Sequence, residues 1–211
     1  MTIWSRLAVC LSLGLWGLTA QGAAGDAEAR LAQVMNDAKA RAAAAQAGKR
    51  AAFFCENCHG ATGNSPLEHV PNLAGQNPVY LLNQIDKFGD GRRKDEFMSG
   101  LVKVLKPEDR FNIAVFYATQ AVQATPSRDA RLAQAGLAQY QRACQGCHGA
   151  AALGTREVAR LAGQRRGYLE TALRDYRAAK GTRRDPRMTS VARQLGDEQI
   201  RALAAYLSGM K

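Results

Sequence analysis

Cys55-Glu-Asn-Cys58-His59-Gly60 has a second copy in this 211-residue chain, Cys144-Gln-Gly-Cys147-His148-Gly149, which begins 89 residues later. In C-x-x-C-H, two thiols on one helical turn can add to the two vinyl groups of a haem while the adjacent imidazole reaches its iron. Two copies predict two covalently attached haem c groups, held through Cys55, Cys58, Cys144 and Cys147, with His59 and His148 as proximal iron ligands.

Other uses of these cysteines fit the rest of the chain poorly. A structural zinc ion takes four ligands, and each half offers two cysteines and one or two histidines. One Cys-x-x-Cys pair from each half could share a metal, but the histidine ending each pair would then have no purpose. A thioredoxin-like dithiol belongs to a βαβ unit, and here valine, isoleucine and threonine never cluster into alternating strands.

Outward from the pentapeptides the chain repeats itself. Pro71-Asn-Leu-Ala-Gly75-Gln76 is matched by Ala159-Arg-Leu-Ala-Gly163-Gln164, and each is followed by a tyrosine-leucine pair, Tyr80-Leu81 and Tyr168-Leu169. Basic loops come next, Gly89-Asp-Gly-Arg-Arg-Lys and Lys180-Gly-Thr-Arg-Arg, each leading to a methionine. Helices opened by Pro107-Glu-Asp and Asp197-Glu close the halves, with Ile113, Ala114 and Tyr117 matching Leu203, Ala204 and Leu207. An internal duplication of this kind predicts an all-α chain with its seam near Ala124-Thr-Pro-Ser127. Ahead of the first copy, residues 26–47 carry Leu31, Val34, Met35, Ala38, Ala42 and Ala45 at helical spacing, which predicts one amphipathic packing helix.

The sixth iron position has few candidates. Met98 and Met188 stand 39 and 40 residues after their histidines, at equivalent points of the repeat. Isolated methionines usually fill cores, but two at matched points in loops suit thioether ligation. His/Met ligation closes both axial positions and favours one-electron transfer over substrate activation. Met35 precedes the first attachment site, Met210 ends the chain, and His69, ten residues past His59, reads as a surface or supporting histidine.

Residues 1–24 read as an export signal, with Arg6 ahead of the apolar run Leu7–Leu18 and a cut after Ala24, Ala20 and Gly22 being other cut points. The run is shorter than the roughly 20 residues that span a bilayer. Cys10 falls in this leader, so the mature chain keeps four cysteines, all in the pentapeptides, as suits a periplasmic protein. Residues 25–124 carry 12 Lys/Arg against 11 Asp/Glu, whereas residues 125–211 carry 16 against 7. The scattered arginines disfavour nucleic acid. An acidic redox partner or an anionic membrane surface is the expected contact of the second half, with a merely solvated basic face as the alternative.

The duplicated C-x-x-C-H-G, the Leu-Ala-Gly-Gln segments at 73–76 and 161–164, the Tyr-Leu pairs, the basic loops, the methionines and the closing helices together resemble class I cytochromes c, and specifically the dihaem cytochrome c4 family. The resemblance implies two tandem cytochrome c domains, 25–124 and 125–211, related by a pseudo-two-fold axis with their propionate edges facing each other. It also implies that the Pro71 carbonyl orients Nδ1 of His59, with Ala159 at the second position, and that Gly91, Arg92, Arg93, Gly181, Arg183 and Arg184 lie near propionates. The function implied is a periplasmic carrier of single electrons between respiratory-chain components, for example to a terminal oxidase, and not an enzyme. The alternative is a dihaem subunit of a periplasmic dehydrogenase such as a sulfur-compound oxidising enzyme.

Overall fold

The computed structural model describes residues 19–179 and 183–211, with side chains from residue 25 onward. The apolar run Leu7–Leu18 lies outside the described residues, as does Gly181. Among the described residues the secondary structure is helical, with no strand, and no helix is long and apolar enough to cross a membrane.

Asp37 divides the alanine-rich stretch. Its helical spacing predicts one helix over 26–47, but the chain forms α1 (Thr19–Asn36) and α2 (Ala38–Ala51). Asp37 is extended, and its carboxylate accepts from the backbone N–H of Lys39 at 2.8 Å and Ala40 at 3.0 Å, which starts a new helix. The restart changes the phase of the apolar face. Leu31 is buried and Val34, Met35, Ala44 and Ala45 pack on the core, whereas Ala38 and Ala42, expected on that same face, are exposed.

The two halves then run in parallel. In the first, α2 leads to α3 (Glu56–His59), α4 (Pro78–Gly89), α5 (Glu96–Lys103) and α6 (Pro107–Ala118). In the second, α7 (Ala130–Ala143) leads to α8 (Gln145–His148), α9 (Arg166–Ala178), α10 (Pro186–Ala192) and α11 (Asp197–Ser208). Each half has its own apolar core, one around Leu31, Phe111 and Tyr117, the other around Tyr140, Ile200 and Leu203. All three matched pairs of the closing helices are buried.

The seam between the halves is threaded by Val122. A Cβ on Gly75 would stand 2.5 Å from Val122 Cγ2, and one on Gly163 would stand 2.3 Å from Val122 Cγ1. Two matched glycines thus let one connecting side chain pack against both halves. Their amides are matched as well: Gly75 N–H donates to the Tyr117 carbonyl and Gly163 N–H to the Leu207 carbonyl, both at 2.9 Å.

The added helix α1 is tied down by Arg30, which donates to both Glu108 oxygens at 2.7 Å and lies 4.0 Å from the Phe111 ring centre. The hydrogen bonds from Arg30 hold the Glu108 carboxyl below the usual carboxylate range. A carboxyl held low stabilises the fold above its unfolded value, about 4.3, and that help is lost as pH falls through the lowered value. Both side chains are about half exposed, so the effect is local and salt-sensitive. Hydrogen exchange should show α1 amides losing protection ahead of α6 as pH falls below the ordinary carboxylate range. Arg30→Ala should bring the same loss at neutral pH.

Candidate haem sites

Each pentapeptide forms a single turn of helix that places its histidine inward. His59 N–H bonds the Cys55 carbonyl at 2.9 Å and His148 N–H the Cys144 carbonyl at 3.0 Å. Gly60 and Gly149 then turn the chain away with φ of +80° in both copies, a conformation that disfavours side chains. Both histidines are buried.

The imidazoles are oriented alike. His59 Nδ1 lies 2.8 Å from the Pro71 carbonyl oxygen, and His148 Nδ1 lies 2.9 Å from that of Ala159. A carbonyl only accepts, so Nδ1 carries the proton and Nε2 keeps its lone pair for a metal. Ala159 therefore supplies the same acceptor as Pro71. Burial lowers the pKa of both imidazoles against the opposing pull of these hydrogen bonds, which favours the neutral, ligating form.

Among the described residues the four pentapeptide thiols are unpaired, so none is committed to a disulfide. Before haem is attached, burial pushes the Cys55 and Cys144 thiols up to about 11. Among the described residues no cluster of three or more His, Cys, Asp or Glu side chains could hold a bare metal ion. A porphyrin-borne iron, needing one imidazole, has no such requirement.

The methionines depart from the loop positions read from sequence, since Met98 falls in the first turn of α5 and Met188 in that of α10. The cause is an aspartate three residues earlier in each half. Asp95 accepts from Met98 N–H at 2.9 Å, and Asp185 accepts from Arg187 N–H at 2.9 Å, so each caps a short helix. In the second half Cys144, Cys147, His148 and Met188 line one cavity, walled by Leu169, Leu173, Val191, Leu195, Leu203 and Leu207. Pro71 reaches the same cavity from the first half. His69 is exposed beside Gly167, apart from this cavity.

The basic loops meet at the seam. Arg93 and Arg183 stand five residues before their methionines, and with Tyr80 and Tyr176 they line a polar pocket shared by both halves. Arg183 donates to the Tyr80 hydroxyl at 2.8 Å and to the Tyr168 hydroxyl. Arg93 has a buried Nε without a partner, and burial followed by the like charge of Arg183 lowers its pKa. Two facing guanidiniums with an orphaned donor fit the carboxylates of haem propionates. Gly91, Arg92 and Arg184 line the same pocket, Arg92 and Arg184 at its exposed side.

The repeated Leu-Ala-Gly-Gln segments assign their glutamines no role from sequence. In the structure they reach across the seam in exchange. Gln164 Oε1 accepts from Asn72 N–H at 2.7 Å and its Nε2 donates to the Asn72 carbonyl at 3.0 Å. Gln76 makes the same pair with Arg160, at 2.7 and 3.0 Å. The signal available beforehand was the repetition of glutamine at one offset from each acceptor carbonyl.

Comparisons with known proteins agree with this arrangement. The cytochrome c family model matches residues 133–211. Cytochrome c4 of Pseudomonas aeruginosa is 35% identical over 97% of this chain and 97% of its own length. A thiosulfate dehydrogenase electron acceptor of Stutzerimonas stutzeri is 40% identical over 76% of this chain and 80% of its own. The crystal structure of reduced cytochrome c4 from Pseudomonas stutzeri superposes with a TM-score of 0.73 at 30% identity, covering 79% of this chain and 98% of that one. With two C-x-x-C-H turns, two matched cores and relatives of this extent, the chain belongs to the cytochrome c4 family of dihaem electron-transfer cytochromes and carries two covalently attached haem c groups.

Proposed function

We propose that this protein is a periplasmic carrier rather than an enzyme, with domains 25–124 and 125–211 each holding one haem. Cys55 and Cys58, and Cys144 and Cys147, would form the thioethers. His59 with Met98, and His148 with Met188, would be the axial pairs, with the Pro71 and Ala159 carbonyls fixing the imidazoles. The observation carrying this reading is the shared tautomer: both histidines commit Nδ1 to a backbone carbonyl and keep Nε2 for iron. Bound haem supplies a one-electron ferric/ferrous couple. The chain contributes attachment, orientation, exclusion of water by the apolar wall, and Arg93 and Arg183 as counter-charges for propionates. Cleavage near Ala24 would start the mature chain within α1.

The second domain, with its excess of arginine, would dock an acidic redox partner. Arg184, Arg193 and Arg201 are exposed there. Reversing all three to glutamate should slow electron transfer with an acidic partner at low salt by roughly tenfold or more and flatten its salt dependence. Stopped-flow spectroscopy measures both, and an unchanged rate and salt slope would remove the docking role.

The alternative of a dehydrogenase's electron acceptor is favoured by the two relatives that bear that name, at 40% and 33% identity. Rapid reduction of the purified holoprotein by a thiosulfate dehydrogenase, against none by other donors, would select it.

A further inference from the structure

The peptide that joins residues 71 and 72 is shared between two hydrogen bonds. Its carbonyl, on Pro71, accepts from His59 Nδ1 at 2.8 Å, and its N–H, on Asn72, donates to Gln164 Oε1 of the other domain at 2.7 Å. The peptide joining residues 159 and 160 is used identically: its carbonyl accepts from His148 at 2.9 Å and its N–H donates to Gln76 at 2.7 Å. An amide is a resonance unit, so donation from its N–H shifts electron density onto its oxygen and makes that oxygen a stronger acceptor. Gln76, Gln164 and Asn72 are all buried, which keeps water from competing for these groups.

We infer that Gln164 and Gln76 are positioning residues that act in trans, each strengthening, through one peptide plane, the hydrogen bond that polarises the proximal imidazole of the opposite domain. The inference rests on the axial assignment of His59 and His148 proposed above. A stronger Nδ1–H···O=C bond gives the imidazole more imidazolate character, makes it a better donor and favours ferric iron. Contact between the domains therefore sets part of the reduction potential on each side. The two relays are not equally braced. Asn72 also donates from Nδ2 to the Gly163 carbonyl at 2.8 Å, whereas the Arg160 side chain turns back to the Ala162 carbonyl of its own domain.

The test uses the holoprotein, with the potential of each haem followed by NMR through the hyperfine-shifted ring signals of His59 and His148. Gln164→Met should favour reduction of the first-domain haem by about threefold at fixed poise, about 28 mV at 59 mV per decade, and leave the second in place. Gln76→Met should do the reverse. In the reduced protein the Nδ1–H resonance of the affected histidine should move upfield. Gln164→Asn, which keeps an amide but shortens its reach, serves if the methionine variant does not accumulate. Asn77→Ala removes cross-domain bonds to the Leu153 and Val158 carbonyls, 3.1 and 3.4 Å, neither of which is to a relay peptide, and should move neither haem. Shifts confined to the substituted domain, equal shifts of both haems, or no shift would overturn the trans relay while leaving the ligands standing. Histidine signals without hyperfine shift in the unmodified protein would overturn the axial assignment itself, and the relay with it.

Discussion

Met188→Ala is expected to abolish the thioether-to-ferric-iron charge-transfer band of one haem and to lower that haem's potential by on the order of 0.1 V, leaving the other haem unchanged. Met98→Ala should do the same to the first haem. The expectation stands on position. Met188 lines the cavity that holds Cys144, Cys147 and His148, and Met98 occupies the matching turn of a matching helix. A thioether is a soft ligand that favours ferrous iron, whereas the water or hydroxide that replaces it favours ferric iron. The methionines left over make a discriminating comparison. Met35 packs on the first core and Met210 on the second, so Met35→Leu and Met210→Leu should keep both bands. Spectroelectrochemistry of the four variants decides the assignment, and a band that keeps its full two-haem intensity in Met98→Ala would exclude Met98 as the ligand.

Much of this architecture was legible because covalent chemistry and duplication leave marks at fixed spacing. C-x-x-C-H, the glycine after it, the Leu-Ala-Gly-Gln segment and the closing helix each occur twice, and a repeat states its own equivalences. What stayed hidden depends on contacts or on single capping residues. Asp37 reads as one polar residue inside a helical pattern, yet its carboxylate restarts the helix and rotates the buried face from Ala42 toward Ala44. Asp95 and Asp185 look like members of charged loops, and only their capping bonds show that Met98 and Met188 begin helices. The glutamine exchange was invisible for another reason. Gln164 and Asn72 are 92 residues apart, and nothing local in either segment says that the domains meet there. The resemblance implies a place near propionates for the arginines of the basic loops, but the tyrosines that share Arg183 between domains require the fold.

Gly136→Ala is expected to destabilise the second domain by about 3 kcal/mol or more, and Gly48→Ala the first by a similar amount. These glycines sit where the opening helix of each half crosses the closing one. A Cβ on Gly48 would lie 1.9 Å from the Asn112 carbonyl oxygen and 2.8 Å from Phe116 Cβ; one on Gly136 would lie 2.0 Å from the Ala202 oxygen and 2.7 Å from Tyr206 Cβ. The obstructing oxygens belong to helix backbone, so no side-chain rotation relieves the clash. The helices must separate, and α6 and α11 each carry several of the buried residues of their cores. Separation by even about 1 Å forfeits dispersion along the whole crossing, since close-packed interiors have no slack. For a domain of this size about 3 kcal/mol corresponds to a fall in Tm of more than 10 °C. Gly100→Ala provides the contrast. Gly100 also lies inside a helix, α5, but a Cβ there meets nothing within 4 Å. Removing a flexible residue from an open helical position should stabilise by up to about 1 kcal/mol. Thermal melts of the three variants, followed by circular dichroism and haem absorbance, should give opposite signs for glycines that a propensity scale treats alike. Equal, small effects at Gly136 and Gly100 would mean that the helices do not cross as closely as this geometry requires.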